Sequence, residues 1–325
     1  MKKGNKERFI KEKVIITSLV IVELLFFWVL FLSPSSIPVL AEIAGNATVS
    51  TLLTVGEVDP EILNVTILGT GGIDLTANST TTVFVEVIAR DFNGEDDIIN
   101  VTSVFFDIID STYGGSDDNN NHYTNNSCNI NTSYGTTYEI NATCEFYVYY
   151  YANNATWNAT ALVTDNTSRT DLGSDLETVN ILLAVGLPSS INYGTVNSTE
   201  VSSENVTNVT NFGNVRINLT LEGYGASQGD NLSMNCTLGT SNISIGYEKY
   251  NLTSSIPGTL SLSDFEANYT NLTSTRVINE FNLNYRQNDT SAYFGDTNST
   301  YWRIYVPAGA AGSCTGNIIF GATIG

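Results

Sequence analysis

Apolar and polar residues alternate along most of the chain with the two-residue period of β-strands. The stretch 81–90 is the clearest case, with Val83, Val85 and Val87 on one face and Phe84, Glu86 and Ile88 on the other. The pattern predicts strands over 61–68, 81–90, 100–109, 138–151, 156–164 and 176–183. Clusters of Gly, Asn, Asp and Ser separate them, as turns require. Six or seven short strands in a region of this length suit an immunoglobulin-like sandwich over 59–183. A second block, 184–325, predicts strands at 190–195, 204–211, 215–222, 232–237, 243–247, 276–284, 300–306 and 315–322. The polar stretch 250–275 reads as loop. The expected fold class is all-β, with two tandem β-sandwich domains behind an N-terminal signal or anchor helix. Between leader and first domain, residues 42–58 form an unassigned segment. There Val49, Thr51, Leu53 and Val55 alternate like a strand without a partner, which makes 42–58 a candidate donor strand for an open sheet of another copy.

The first 41 residues read differently. Lys2, Lys3, Lys6, Arg8, Lys11 and Lys13 form a basic region ahead of an apolar run, 14–32, interrupted by Glu23. Pro34, Pro38 and the small-residue pattern Val39-Leu40-Ala41 follow, so the segment predicts a secretory signal peptide cut after Ala41. An uncleaved signal anchor is the rival, because a run of about 19 residues just spans a bilayer. Glu23 in its middle favours the transient leader. Either way the chain from Glu42 onward is expected outside the cell, touching a membrane only through the leader.

Composition narrows the function. The net charge is −20 and only 14% of residues are charged, below the usual quarter. Asn, Thr and Ser replace the missing charges, as on a surface that carries glycans or packs against copies of itself. An acidic mature chain repels nucleic acid. Asn-X-Ser/Thr acceptors recur throughout; the candidates taken forward are Asn64, Asn100, Asn141, Asn158, Asn218 and Asn251. The four cysteines, Cys128, Cys144, Cys236 and Cys314, predict two disulfides in an exported chain. Four cysteines allow three connectivities, and division by domain favours Cys128–Cys144 and Cys236–Cys314. A zinc site is a poor rival, since there is no CxxC and one histidine, His122.

Two stretches, DFNGEDDIINVTSVFFDI (91–108) and SDDNNNHYTNNSCN with CEFYVYYYANNATWNATALVTDN (116–129, 144–166), resemble the Ig-like domain of secreted surface proteins from small-genome archaea. NVTNFGNVRINLTLEGYG (208–225) and YWRIYVPAGAAGSCTGNIIFGA (301–322) resemble their C-terminal sandwich. The VPAG…GxIxF ending is also similar to camelysin/TasA-type surface-fibre sandwiches. The resemblance implies fold and cell-surface location and carries no established activity.

Candidate chemistry is sparse. Asp91, Asn93, Asp96 and Asp97 crowd one loop and could offer oxygens to calcium, although the spacing is not that of an EF-hand. The competing expectation is a solvated turn in which Asn93-Gly94 supplies positive φ. Asp117-Asp118 and Asp165/Asp171 are weaker versions. His122 lies in a polar run and is expected to be exposed rather than part of a triad. No catalytic residue and no cofactor other than calcium is assigned, and an enzyme is not expected. Tyr147, Tyr149, Tyr150, Tyr151 and Trp157 suggest either a sugar-binding platform or ordinary sandwich packing, and strand alternation favours packing. The expected function is an exported, glycosylated structural or adhesive surface protein, partnered by its own copies or by envelope proteins and glycans. The alternative is an extracellular ligand- or carbohydrate-binding module, with or without calcium.

Overall fold

The computed structural model describes residues 48–69, 71–287 and 295–325; the expected leader and residues 42–47 of the segment after it lie outside the described residues. The chain divides into two units at Val55/Gly56. Residues 48–60 carry no strand, and Val49, Leu52, Leu53 and Val55 are exposed. Among the described residues no helix is long and apolar enough to cross a membrane.

Eight strands build the first part of the larger unit: β1 (Glu61–Ile67), β2 (Thr80–Arg90), β3 (Ile98–Asp107), β4 (His122–Asn125), β5 (Asn129–Asn131), β6 (Glu139–Tyr149), β7 (Thr156–Asp165) and β8 (Thr170–Thr178). They form two antiparallel sheets ordered β1-β2-β6-β5 and β4-β3-β7-β8. With the strands lettered in chain order, these are the ABED and C′CFG sheets of an immunoglobulin-like sandwich. Alternation explains the core. On β7, Trp157, Ala159, Ala161 and Val163 point inward and are fully buried, facing Val83, Val85 and Val87 of β2 and Phe146 and Val148 of β6 across one core. The Trp157 ring stacks on Phe105 at 4.8 Å, and its indole N–H donates to the Asn153 carbonyl at 2.9 Å. The Cys128–Cys144 disulfide ties β6 to the residue preceding β5, within one sheet. In antibody domains the bridge instead crosses between sheets.

At the margin of the sandwich, β1 and β8 meet without a ladder. The Asp171 and Asp175 carboxylates accept from the main-chain N–H groups of Ile62 (2.7 Å) and Ile67 (2.9 Å). Gly173 lies between them because a Cβ there would stand 2.7 Å from Ile62 Cγ2. This explains why the strand runs 170–178 rather than over the expected 176–183. Its half-buried positions are Asp171, Gly173, Asp175 and Glu177, so hydrophobic alternation does not mark it.

The second part contains β9 (Val185–Gly186), β10 (Asn205–Asn211), β11 (Ile217–Tyr224), β12 (Leu232–Gly239), β13 (Ile243–Ser244), β14 (Glu248–Asn251), one helix α1 (Leu262–Asn268), β15 (Thr270–Asn271), β16 (Val277–Leu283), β17 (Thr297–Ile304), β18 (Ala310–Thr315) and β19 (Asn317–Ile324). One sheet is ordered β15-β14-β17-β10-β9 and another β16-β11-β19, with β13-β12-β18 beside it. β18 and β19 flank Gly316 and pair in turn with β12 and β11. The Cys236–Cys314 disulfide joins β12 to β18. Both disulfides are the pairs favoured by division into domains. Apolar residues here form three small clusters rather than one, built around Ile217, Trp302 and Ile304.

Two expectations fail in this part. The predicted strand 190–195 does not form, because Asn192 Oδ1 takes the Gly194 N–H at 2.9 Å and Gly194 adopts φ +68°, a local turn that competes with a ladder. The expected loop 250–275 contains α1, capped by Ser261 Oγ accepting from the Asp264 N–H at 3.2 Å. Phe265 on the helix and Tyr269 at its C-cap, four residues apart, bury one face.

The two sandwiches meet at the turn Asn211-Phe212-Gly213-Asn214. Asn214 is 1% exposed and donates its amide to the carbonyls of Ala152 and Asn180, both at 3.0 Å, while its Oδ1 accepts from Leu182 N–H at 2.7 Å. Asn120 donates to Tyr151 O and Arg286 O, and Tyr285 reaches Asn153 at 3.2 Å. Replacing Asn214 by Leu would leave two buried carbonyls and one N–H unpartnered, an expected loss of roughly 2–4 kcal/mol. The urea midpoint should fall with the slope unchanged. A midpoint within error of the parent would show that the asparagine does not hold the junction. Removing Cys236–Cys314, which closes a span of 78 residues, should cost about 4–5 kcal/mol on the loop-entropy model, measured the same way.

Candidate functional site

The β3–β7 register places Ile98 opposite Asp165. The β2–β3 connection and the β7–β8 turn therefore lie at the same end of the first sandwich. From the first come Asp91, just past β2, and Asp97, at the end of the short 3₁₀ turn Glu95–Asp97; from the second comes Asp165. One oxygen from each carboxylate lies within 4.8 Å of the others. Asp91 and Asp165 are fully buried, and Asp97 is half-buried.

Local hydrogen bonds hold this geometry. Asp91 Oδ1 accepts from the Asn93 N–H at 2.8 Å, and the Asp91 N–H donates to Tyr138 O at 2.8 Å. Gly94 sits at φ +133°, where a side chain would be strained. Asp165 Oδ1 accepts from the N–H groups of Thr167 and Arg169, each at 2.8 Å, and the Thr167 hydroxyl touches both of its oxygens. Asn166 links the turns by donating its N–H to Asp97 O at 2.9 Å and its side-chain amide to Asp97 Oδ1. Arg169 points to Asp59 Oδ1 at 2.6 Å and Glu57 O at 3.2 Å. Among the described residues nothing hydrogen-bonds to two enclosed oxygens of the trio, Asp91 Oδ2 and Asp97 Oδ2.

Burial pushes the Asp91 carboxyl above its usual range; the Asn93 N–H pulls against this, and the charges of Asp97 and Asp165 add to it. Burial also acts against ionised Asp165, but the Arg169 and Thr167 donors outweigh it and its pKa falls. Of the four residues expected from the loop, the structure thus brings together Asp91 and Asp97. Asn93 turns its Oδ1 to the Val58 N–H at 2.8 Å, and Asp96 is exposed and outside the trio. Asp165 is the ligand-type residue that loop spacing misses. Asp171, its weaker companion in the sequence, is engaged with β1 instead.

His122 is not exposed but 1% accessible, because it begins β4 and packs against the Phe106 ring. Its Nδ1 lies 3.3 Å from Asp117 Oδ1. Tyr147 and Tyr149 face solvent, and Phe146, Val148 and Tyr150 face inward, as alternation expects. Tyr151 departs from it: beyond the end of β6 it is buried, with its ring edge-on to Tyr150. Asn64 is exposed; Asn100, Asn141, Asn158, Asn218 and Asn251 are half-buried. Asn218 also uses its Oδ1 to hold the N–H groups of Phe281 and Asn282.

The second sandwich has a cleft of about 580 Å³ between the strandless segment 190–198 and Met234, Ile243, Ile304, Val306 and Ala310. Tyr193, in that segment, donates its hydroxyl to Glu248 at 2.8 Å. Burial lifts the Glu248 carboxyl to about 7 despite this bond.

No protein-family model matches the chain, and no curated protein sequence matches it. Among solved structures it is similar to Escherichia coli alpha-2-macroglobulin activated by porcine elastase, at 10% identity and a TM-score of 0.23, covering 81% of this chain and 22% of that one. It is also similar to a chain of a chaperone–tip adhesin complex of CFA/I fimbriae biogenesis, at 11% identity and a TM-score of 0.26, covering 82% and 84%.

A raised carboxyl favours the folded state most where it is protonated. The contribution of Glu248 is fully present below 4.5 and is lost as pH rises through about 7. Unfolding free energy should therefore drop by roughly 3 kcal/mol over that range relative to Glu248→Gln. Parallel pH profiles for the two proteins would refute this.

Proposed function

We propose that the chain is an exported, glycosylated, non-enzymatic surface protein of structural or adhesive role that joins its own copies by strand addition. One observation carries this reading: the second sandwich opens its core into a cleft where an expected strand is missing, while residues 48–55 present unpaired apolar side chains. These eight residues, extended, reach about 26 Å, enough to run along a sheet edge. Glu57 to Asp59 are engaged by Asn93 and Arg169, so the donor is narrower than the 42–58 segment and comprises 48–55. Two disulfides support an oxidising compartment. Every described sequon asparagine among the six candidates is at least partly accessible, which supports glycan attachment.

The same cleft favours a second reading, a module that binds a small ligand or carbohydrate. The two readings separate on deletion of residues 42–58. Strand addition predicts that polymers of the mature protein, seen by electron microscopy and sedimentation, disappear in the truncated chain. Unchanged polymers would reject it. Binding on a glycan array that survives the deletion would favour the module instead.

A further inference from the structure

The geometry points to a calcium site formed by Asp91, Asp97 and Asp165 at one end of the first sandwich. It stands apart from the assembly reading and uses none of its residues. Three carboxylates drawn from two separate turns converge within 4.8 Å, a separation at which like charges repel unless something positive lies between them. Arg169, the cation whose charge acts on Asp91 and Asp165, is committed to Asp59 and the Glu57 carbonyl. A cluster of acids alone would not define a site. What does so is the state of its oxygens: Asp91 is fully buried, yet its Oδ2 has no donor, and neither does the enclosed Oδ2 of Asp97. Buried polar atoms normally find partners. Here two of them, in one pocket of negative charge, receive no hydrogen bond from any described protein group. A divalent cation supplies what is missing.

The donor set selects the ion. It is all oxygen, with no thiolate or imidazole, which excludes the usual zinc chemistry. The ligands come from irregular turns rather than a regular octahedral frame, and calcium tolerates such geometry where magnesium does not. The three residues also bridge the β2–β3 connection to the β7–β8 turn, so occupancy would brace that end of the sandwich. The rival is a proton held by Asp91, the neutral acid that burial favours.

The test uses the whole mature chain. Calorimetric titration should give a calcium Kd on the order of 0.1–1 mM, typical of extracellular modules. About 10 mM calcium should raise the melting temperature by about 3–8 °C, reversibly on chelation. Magnesium should do markedly less. Asp91→Asn and Asp97→Asn should each weaken binding about tenfold or more, while Asp96→Asn leaves it intact. Asp97 is half-buried, so its variant keeps the test alive if a change at a buried position prevents folding. The proposal is overturned if the parent shows no calcium binding or stabilisation, if magnesium acts equally, or if binding survives both variants.

Discussion

The structure depends on asparagine and aspartate side chains satisfying main-chain groups wherever a sheet ends. A β-fold leaves N–H and C=O groups unpaired at each strand edge, turn and domain junction, and such groups are costly once buried. Short amides and carboxylates, abundant here, meet that demand at close range. Asp171 and Asp175 hold the β1 main chain, Asn214 and Asn120 close the junction, and Asn218 holds the Phe281 and Asn282 amides. Asp230 does the same for a turn, accepting from Ala226, Ser227 and Leu232, and those donors hold its pKa down to about 2. The low content of Lys and Arg follows the same logic: the groups that need partners are main-chain ones.

The two sandwiches solve burial differently. The first has one contiguous core of Val, Ala, Ile and aromatic residues. The second divides its apolar groups into three clusters and also buries Glu248, Lys249 and Arg303. Arg303 is fully buried, yet its guanidinium donates to the carbonyls of Ser202, Ile256 and Gly258 and to the Tyr269 hydroxyl. The buried Lys249 pairs with Glu266. Arg303 thereby anchors the irregular chain around residues 256–258, which no apolar contact could orient so specifically. This half also carries the open cleft.

Strand alternation made most of the fold legible. Positions such as 83, 85 and 87, or 157, 159, 161 and 163, repeat strictly enough to assign both a strand and its inward face. β8 was displaced because its inward residues are acids that bind main chain. β18, rich in Gly and Ala, carries no hydrophobic signal, and α1 is a single capped turn pair held by Phe265 and Tyr269. The acidic site was half legible. Asp91 and Asp97 are neighbours in sequence, but Asp165 joins them through the antiparallel pairing of β3 with β7, a long-range fact that loop spacing does not contain. His122 is buried although its run is polar, because such a run can still supply a strand whose first residue turns inward.

The pairing of the last two strands sets an order of events during synthesis. The first sandwich has all its strands and its apolar core once residue 182 has emerged. The second cannot close on its own core, or join Cys236 to its partner, until residues 310–324 arrive to pair with chain made roughly 70–110 residues earlier. Over that interval β11 and β12 present an unprotected edge beside an already finished neighbour. The nascent chain therefore spends its most vulnerable period half-folded, and any folding helper that acts on it must shield that edge until β18 and β19 are delivered.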